Sequence, residues 1–191
     1  MPEIDRSQGR SSASTGRPRA LLKKKLVLLL GLVYKAGVDS LWEKKKGEKT
    51  MEMEGYIFPD DVYYHKEHFW AKVDGEIVVI GTSDFAQKLA GQIVYVELPS
   101  VGKAVEQGKP CGSMESGKWV GRVYAPVSGK VEAVNGDLED APELINESPY
   151  EKGWIFKIKP SNLQGDLANL FQGEKLAEFI RSEIVRVQKT K

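Results

Sequence analysis

Lys109-Pro110-Cys111-Gly112-Ser113-Met114-Glu115-Ser116-Gly117-Lys118-Trp119-Val120-Gly121-Arg122-Val123-Tyr124-Ala125-Pro126-Val127-Ser128-Gly129 is the stretch that decides the fold. Two strand-like runs meet at Glu115-Ser116-Gly117-Lys118-Trp119, so the pattern puts one lysine at a tight turn, with Gly117 allowing the chain to reverse. A lysine held this way is open to a modifying enzyme, and a rigid hairpin presents its neighbours in one geometry. Those are the needs of a swinging-arm carrier, for which Glu115, three residues before the lysine, can serve as a recognition mark. The pattern alone also fits an unmodified surface lysine on an interaction module.

Outward from this hairpin the chain reads as short strands with Gly and Pro turns. His68-Phe69-Trp70-Ala71-Lys72-Val73 and Glu76-Ile77-Val78-Val79-Ile80-Gly81 flank the hairpin signal Asp74-Gly75. Thr82-Ser83-Asp84 can cap a short helix, Phe85 to Ala90, which Gly91 ends. Ile93 to Leu98 is a strand closed by Pro99, Lys130 to Val134 is another that runs into a turn at Asn135-Gly136, Asp140 to Pro149 is irregular, and Trp154 to Lys159 is the last strand. Leu163, Leu167, Leu170 and Phe171 share a helical face; Leu176, Phe179, Ile180, Ile184 and Val187 form a second, after Gly173. The expected class is mainly β, a small sandwich or barrel with a short internal helix and C-terminal helices.

The 191 residues, 41% hydrophobic and 29% charged, suit one domain with appendages, since domains run to roughly 100–200 residues. The net charge of +1 conceals an asymmetry: residues 1–50 hold 12 Lys/Arg against 5 Asp/Glu, and the rest 16 against 22. An acidic globular part argues against a nucleic-acid partner. Residues 1–50 read as a basic, disordered extension ahead of a carrier domain at 51–191. Within the extension, Lys23-Lys24-Lys25 precede only nine apolar residues, Leu26 to Tyr34, too few for a spanning helix of about 20, so no stable membrane insertion is expected. The extension resembles a secretory signal without its cleavage site, or an organelle transit peptide, or translation from an upstream start with Met51 or Met53 the true beginning. A cytoplasmic monomer is the expectation, with an organelle as the alternative if the extension is a transit peptide. The single Cys111 excludes an intramolecular disulfide and a cysteine zinc site, and reads as a small buried side chain.

No nucleophile–base pair, P-loop or dinucleotide fingerprint is present. His65 and His68 flank Glu67 and could contribute to a metal site only with partners from elsewhere, so they read as polar residues at a strand entrance. From Tyr56 to Ile184 the chain resembles the H protein of the glycine cleavage system, a lipoyl carrier. The resemblance rests on Lys66-Glu67-His68-x-Trp70, Gly81-x-x-Asp84-x-Ala86-Gln87, Gly91-x-Ile93-Val94-x-Val96-Glu97-Leu98-Pro99, Glu115-Ser116-x-Lys118, Tyr124 to Gly129, Asn135, and Pro142 to Trp154. Biotin carriers are the nearest rival, but they show Met on both sides of the lysine, where Gly117 and Trp119 stand here. The resemblance implies a barrel-sandwich hybrid, with lipoate in amide linkage to Lys118, and Glu115, Ser116, Gly117 and Trp119 around it. It implies no catalysis by the chain itself. Its partners would be a lipoate-attaching enzyme and the enzymes that load and unload the arm.

Three positions depart from the family pattern. Phe69 stands where the family places a Glu before the early Trp, Leu89 where it commonly has a His, and Arg122 where an Asp often follows the lysine. In the family the loaded arm folds into a cleft that protects an aminomethyl group, and a buried amine needs polar company. These three substitutions point away from an amine, and Gly117 and Trp119 around the lysine look similar to the H-like lipoate-binding carriers of heterodisulfide-reductase-like sulfur oxidation, where Arg122 could favour an anionic intermediate. The alternative is the glycine cleavage role, with the aminomethyl group passing between the P and T proteins.

Overall fold

The structure, a computed structural model, describes residues 50–189. The expected N-terminal extension lies outside them except for Thr50, which begins the first strand. That strand, β1 (Thr50–Met53), pairs with β2 (Tyr56–Pro59) through a turn whose two residues, Glu54 and Gly55, have φ of 52° and 79°. Positive φ at both positions is the two-residue turn that matches strand twist. The strand-like reading from Tyr56 onward missed β1.

The remaining strands are β3 (Tyr63–Tyr64), β4 (Phe69–Asp74), β5 (Ile77–Thr82), β6 (Ile93–Glu97), β7 (Ala104–Val105), β8 (Pro110–Ser116), β9 (Trp119–Tyr124), β10 (Gly129–Val134) and β11 (Trp154–Pro160). They form a six-stranded sheet in the order β3-β4-β5-β11-β10-β7 and a three-stranded sheet in the order β6-β8-β9. The mainly β expectation holds. Strand alternation sorts the side chains. Phe69, Ala71, Val78 and Ile80 enter the main core with Ile93, Val96, Met114 and Val123 from the smaller sheet. Trp70 faces the other way, into a second cluster with Phe58, Tyr64, Phe85, Leu176 and Ile180. Each such large apolar side chain contributes about 1.5–3 kcal/mol by leaving water.

Helix α1 (Asp84–Ala90) follows β5 directly, capped as expected by Ser83, whose Oγ accepts the Ala86 N–H at 3.2 Å. Two short helices, α2 (Asp137–Asp140) and α3 (Leu144–Glu147), occupy ground read as a turn and an irregular segment. Gly136 has φ −62°, so Asn135-Gly136 leads into α2 instead of a hairpin turn. The buried Asn135 amide explains the difference: it donates to the carbonyls of Lys152 (2.8 Å) and Trp154 (2.7 Å), so the side chain ties β10 to β11. At the C-terminus come α4 (Leu163–Leu167) and α5 (Gly173–Lys189), the second beginning at Gly173 with φ 57°. Helix α5 buries Leu176 and Ile180, one turn apart, against the second cluster. Among the described residues no helix is long and apolar enough to cross a membrane.

Candidate functional site

Strands β8 and β9 pair with Glu115 opposite Val120 and Ser116 opposite Trp119, which leaves Gly117-Lys118 as a two-residue tip. Both tip residues are exposed. The expectation that Gly117 supplies the turn is corrected. Gly117 lies outside the left-handed region, and a Cβ there would meet nothing within 4 Å. What organises the turn is Ser116. Its Oγ accepts the Lys118 N–H at 3.4 Å, the local side-chain-to-backbone bond that Ser favours in turns, and donates to the carbonyl of Ala90 at 2.7 Å. Ser116 is buried, so the second bond pins the hairpin to the C-terminus of α1.

Gly91 is the other half of this junction. It ends α1 by donating its N–H to the carbonyl of Gln87 at 3.0 Å, with φ 83° and ψ −166°, a region open in practice only to glycine. The lysine stem crosses it so closely that a Cβ on Gly91 would lie 3.0 Å from Lys118 Cε. Asn146 fixes the same loop from α3, donating to Gly91 O (3.0 Å) and Gln87 Oε1 (2.8 Å) and accepting the Ile93 N–H (2.9 Å). The sequence reading took Gly91 only as a helix stop. The Gly91-x-Ile93 and Asn146 motifs were its visible signals.

Beside the lysine opens a cleft of about 430 Å³. All three residues singled out as cleft candidates line it, Phe69 from β4, Leu89 from α1 and Arg122 from β9. Trp119 lines it as well, and reaches it because Gly121 has no side chain: a Cβ at Gly121 would fall 1.8 Å from the Trp119 ring. Glu115, Ser116, Gly117 and Lys118 are not part of the lining; they form the hairpin at its edge. Glu115 sits across from both Tyr95 and Val120, exposed apolar residues on the same sheet.

The cleft is not as apolar and cationic as the substitutions implied. Glu67, His68, Thr82, Gln87 and Arg186 also line it. Glu67 and Arg122 are exposed, so the charges sit where the cleft meets solvent. Arg186 is paired with Glu183, which also lies 3.1 Å from His68 Nε2. Neither Glu67 nor Arg186 was read as a cleft residue, because strand alternation says nothing about a loop residue and α5 is far away in sequence.

Both histidines are packed into the fold, and His68 also lines the cleft. His65 is buried with its Nδ1 accepting the Glu67 N–H at 3.2 Å. His68 has φ 62° and packs between Phe85 and Phe179, at ring separations of 4.8 and 5.3 Å. Burial holds both imidazoles below their ordinary pKa, for His68 against the opposing pull of the Glu183 carboxylate. No group of residues suited to a metal ion occurs among the described residues. Cys111 is buried, and burial pushes its thiol up to about 11, which keeps it in the thiol form near neutral pH.

The family model for the Glycine cleavage H-protein matches residues 62–183, more than half of the chain. The chain belongs to the glycine cleavage H-protein family. Among its relatives, the probable glycine cleavage system H protein of Thermococcus kodakarensis is 50% identical over 133 residues, which are 69% of this chain and 98% of that protein. The glycine cleavage system H protein of Halalkalibacterium halodurans is 49% identical over 125 residues, 65% of this chain and 97% of that one. A crystal structure of a glycine cleavage system H protein from Mycobacterium marinum superposes with a TM-score of 0.58 at 30% identity, covering 66% of this chain and 98% of that chain. The fold is therefore that of the lipoyl-carrying barrel-sandwich proteins. H proteins are carriers, not enzymes, and hold lipoate covalently on a lysine.

The residues present suit that group. An amide-linked arm needs an exposed amine on a fixed support and an apolar place for its hydrocarbon and sulfur end. Lys118 on the Ser116-pinned hairpin offers the first, and the Phe69, Leu89, Ile93 and Met114 walls offer the second. The cleft volume falls within the roughly 300–1,000 Å³ of small-ligand sites.

Proposed function

We propose that lipoate is attached to the side-chain nitrogen of Lys118, in a carrier domain at residues 51–191, and that the arm carries an aminomethyl group between the loading and unloading enzymes of glycine cleavage. The observation that carries this reading is the position of Lys118: the exposed tip of a pinned hairpin, at the edge of a cleft wide enough to take its arm. The chemistry at the arm is supplied by lipoate, and the chain's share is support, cleft and docking surface. The partners are a lipoate-attaching enzyme and the P and T proteins, with the acidic carrier steering toward basic faces. Action in the cytoplasm as a monomer belongs to the same reading.

The sulfur-oxidation role favoured by the sequence rested on Phe69, Leu89 and Arg122, and all three do line the cleft. The relatives named above carry glycine cleavage names at about half identity over nearly their whole length, and that outweighs three positions. Intact mass after incubation with lipoate and a competent ligase tests the attachment. A gain of one lipoyl group, abolished by Lys118→Ala, is expected, and an unmodified mass refutes it in favour of a plain interaction module. Reconstituted glycine decarboxylation with the lipoylated chain tests the cargo, and failure there with intact lipoylation would return the sulfur role to first place.

A further inference from the structure

Thr82 closes β5 inside the cleft, directly opposite Phe69 in the β4–β5 register. It is only 1% exposed. Its backbone is held, since its carbonyl accepts the Trp70 indole N–H at 2.9 Å. Its side-chain hydroxyl has no hydrogen-bond partner, and it is the one buried side-chain nitrogen or oxygen among the described residues of which this is true. Such a group is costly to keep, and valine would fill the same space without that cost.

We propose that the Thr82 hydroxyl is a hydrogen-bonding anchor for the aminomethyl group carried on the arm, and so a specificity residue of the cleft. The inference rests on Lys118 bearing the arm. The neighbourhood selects the chemistry. Of the other polar side chains in this wall, Gln87 is already occupied at both ends, donating to Asp84 and accepting from Asn146, and His68 Nε2 lies against the Glu183 carboxylate. The charged groups, Glu67 and Arg122, are exposed at the mouth. An oxyanion brought down to Thr82 would leave the Arg122 guanidinium behind and find one hydroxyl for several oxygens, which is a poor exchange for water. A small amine brings N–H donors, and the hydroxyl oxygen accepts one of them. Thr82 is thus a specificity residue for the carried group, tolerated empty and satisfied when loaded.

The test uses the full chain, lipoylated on Lys118 as verified by mass and loaded from labelled glycine by the purified decarboxylating partner. Water releases the aminomethyl group as formaldehyde and ammonium, leaving the thiol, and mass spectrometry follows the loss. Thr82→Val is expected to shorten the lifetime of the loaded form at least tenfold, while the thermal midpoint of the unlipoylated protein stays level or rises. Thr82→Ser, which keeps the hydroxyl, is expected to restore most of the lifetime. Equal lifetimes for wild type and Thr82→Val overturn the proposal. A fall in the midpoint of unlipoylated Thr82→Val overturns it too, because the hydroxyl would then have a partner, such as a water, in the free protein. A chain that takes no lipoyl group at all refutes the attachment at Lys118 before Thr82 is tested.

Discussion

Ser116→Ala probes the junction on which the presentation of Lys118 depends. The side chain loses only its oxygen, and with it the 2.7 Å bond to the carbonyl of Ala90 and the 3.4 Å bond from the Lys118 N–H. The Lys118 amide is at an exposed tip, so water replaces its partner at little cost. The Ala90 carbonyl belongs to a residue only 8% exposed, at the end of a helix whose last carbonyls need partners. Leaving a buried group of this kind unsatisfied costs about 1–3 kcal/mol. For a domain of this size each kcal/mol lowers the midpoint by roughly 3 °C, so a fall of about 3–9 °C is expected in a thermal melt. The same variant should take up lipoate from a ligase roughly tenfold more slowly at limiting substrate, because small misplacements of a reacting group are expensive in rate. A midpoint within experimental error of wild type would refute the energetic reasoning. A clear fall with an unchanged rate of lipoylation would refute the positioning role and leave Ser116 as a support of the fold alone.

Two further outcomes follow from the same surroundings. Gly91→Ala forces a side chain onto φ 83° and ψ −166°, against a lysine stem that must give way, and should cost about 1–3 kcal/mol in urea unfolding; no loss of stability would show that the loop has another way to turn. The histidines set a pH dependence. Burial lowers the pKa of His65 and His68 below the ordinary 6.5, so the unfolded chain binds protons first as pH falls, and stability present above that value declines beneath it. The urea midpoint should therefore drop between about pH 7.5 and about pH 5.5, and drop less in His68→Asn, whose side chain tolerates the φ of 62° there; a flat profile in wild type would sink the assignment.

Much of this architecture is written locally. The alternation in Phe69-Trp70-Ala71 announces a strand with two apolar faces, and it does feed two clusters. Ser83 and Gly91 mark both ends of α1 because capping is a matter of neighbours. The errors also have a local cause. Gly117 was read as the turn-maker from composition, whereas the turn is organised by the hydroxyl one residue earlier and its long-range bond to α1. Asn135-Gly136 carries the strongest hairpin dipeptide known to sequence reading, but the Asn135 amide is taken by β11 and the chain goes on into a helix. In both places a tertiary hydrogen bond overrides a correct local preference.

The leaning of the sequence toward a sulfur cargo has a similar origin. Phe69, Leu89 and Arg122 all read as signs that the cleft avoids an amine, Phe69 and Arg122 the most firmly, but their positions give them different meanings. Phe69 is 3% exposed and packs on Tyr124 with ring centroids 6.2 Å apart, so it answers first to the core. Leu89 is half-buried and packs against the second cluster as well as the cleft. Arg122 is exposed, so its charge is largely screened by water, and the Glu67 carboxylate lines the same cleft. None of the three places a cation at the floor. Thr82, 1% exposed, lines the same cleft, and its neutral hydroxyl has no hydrogen-bond partner that an amine would have to displace.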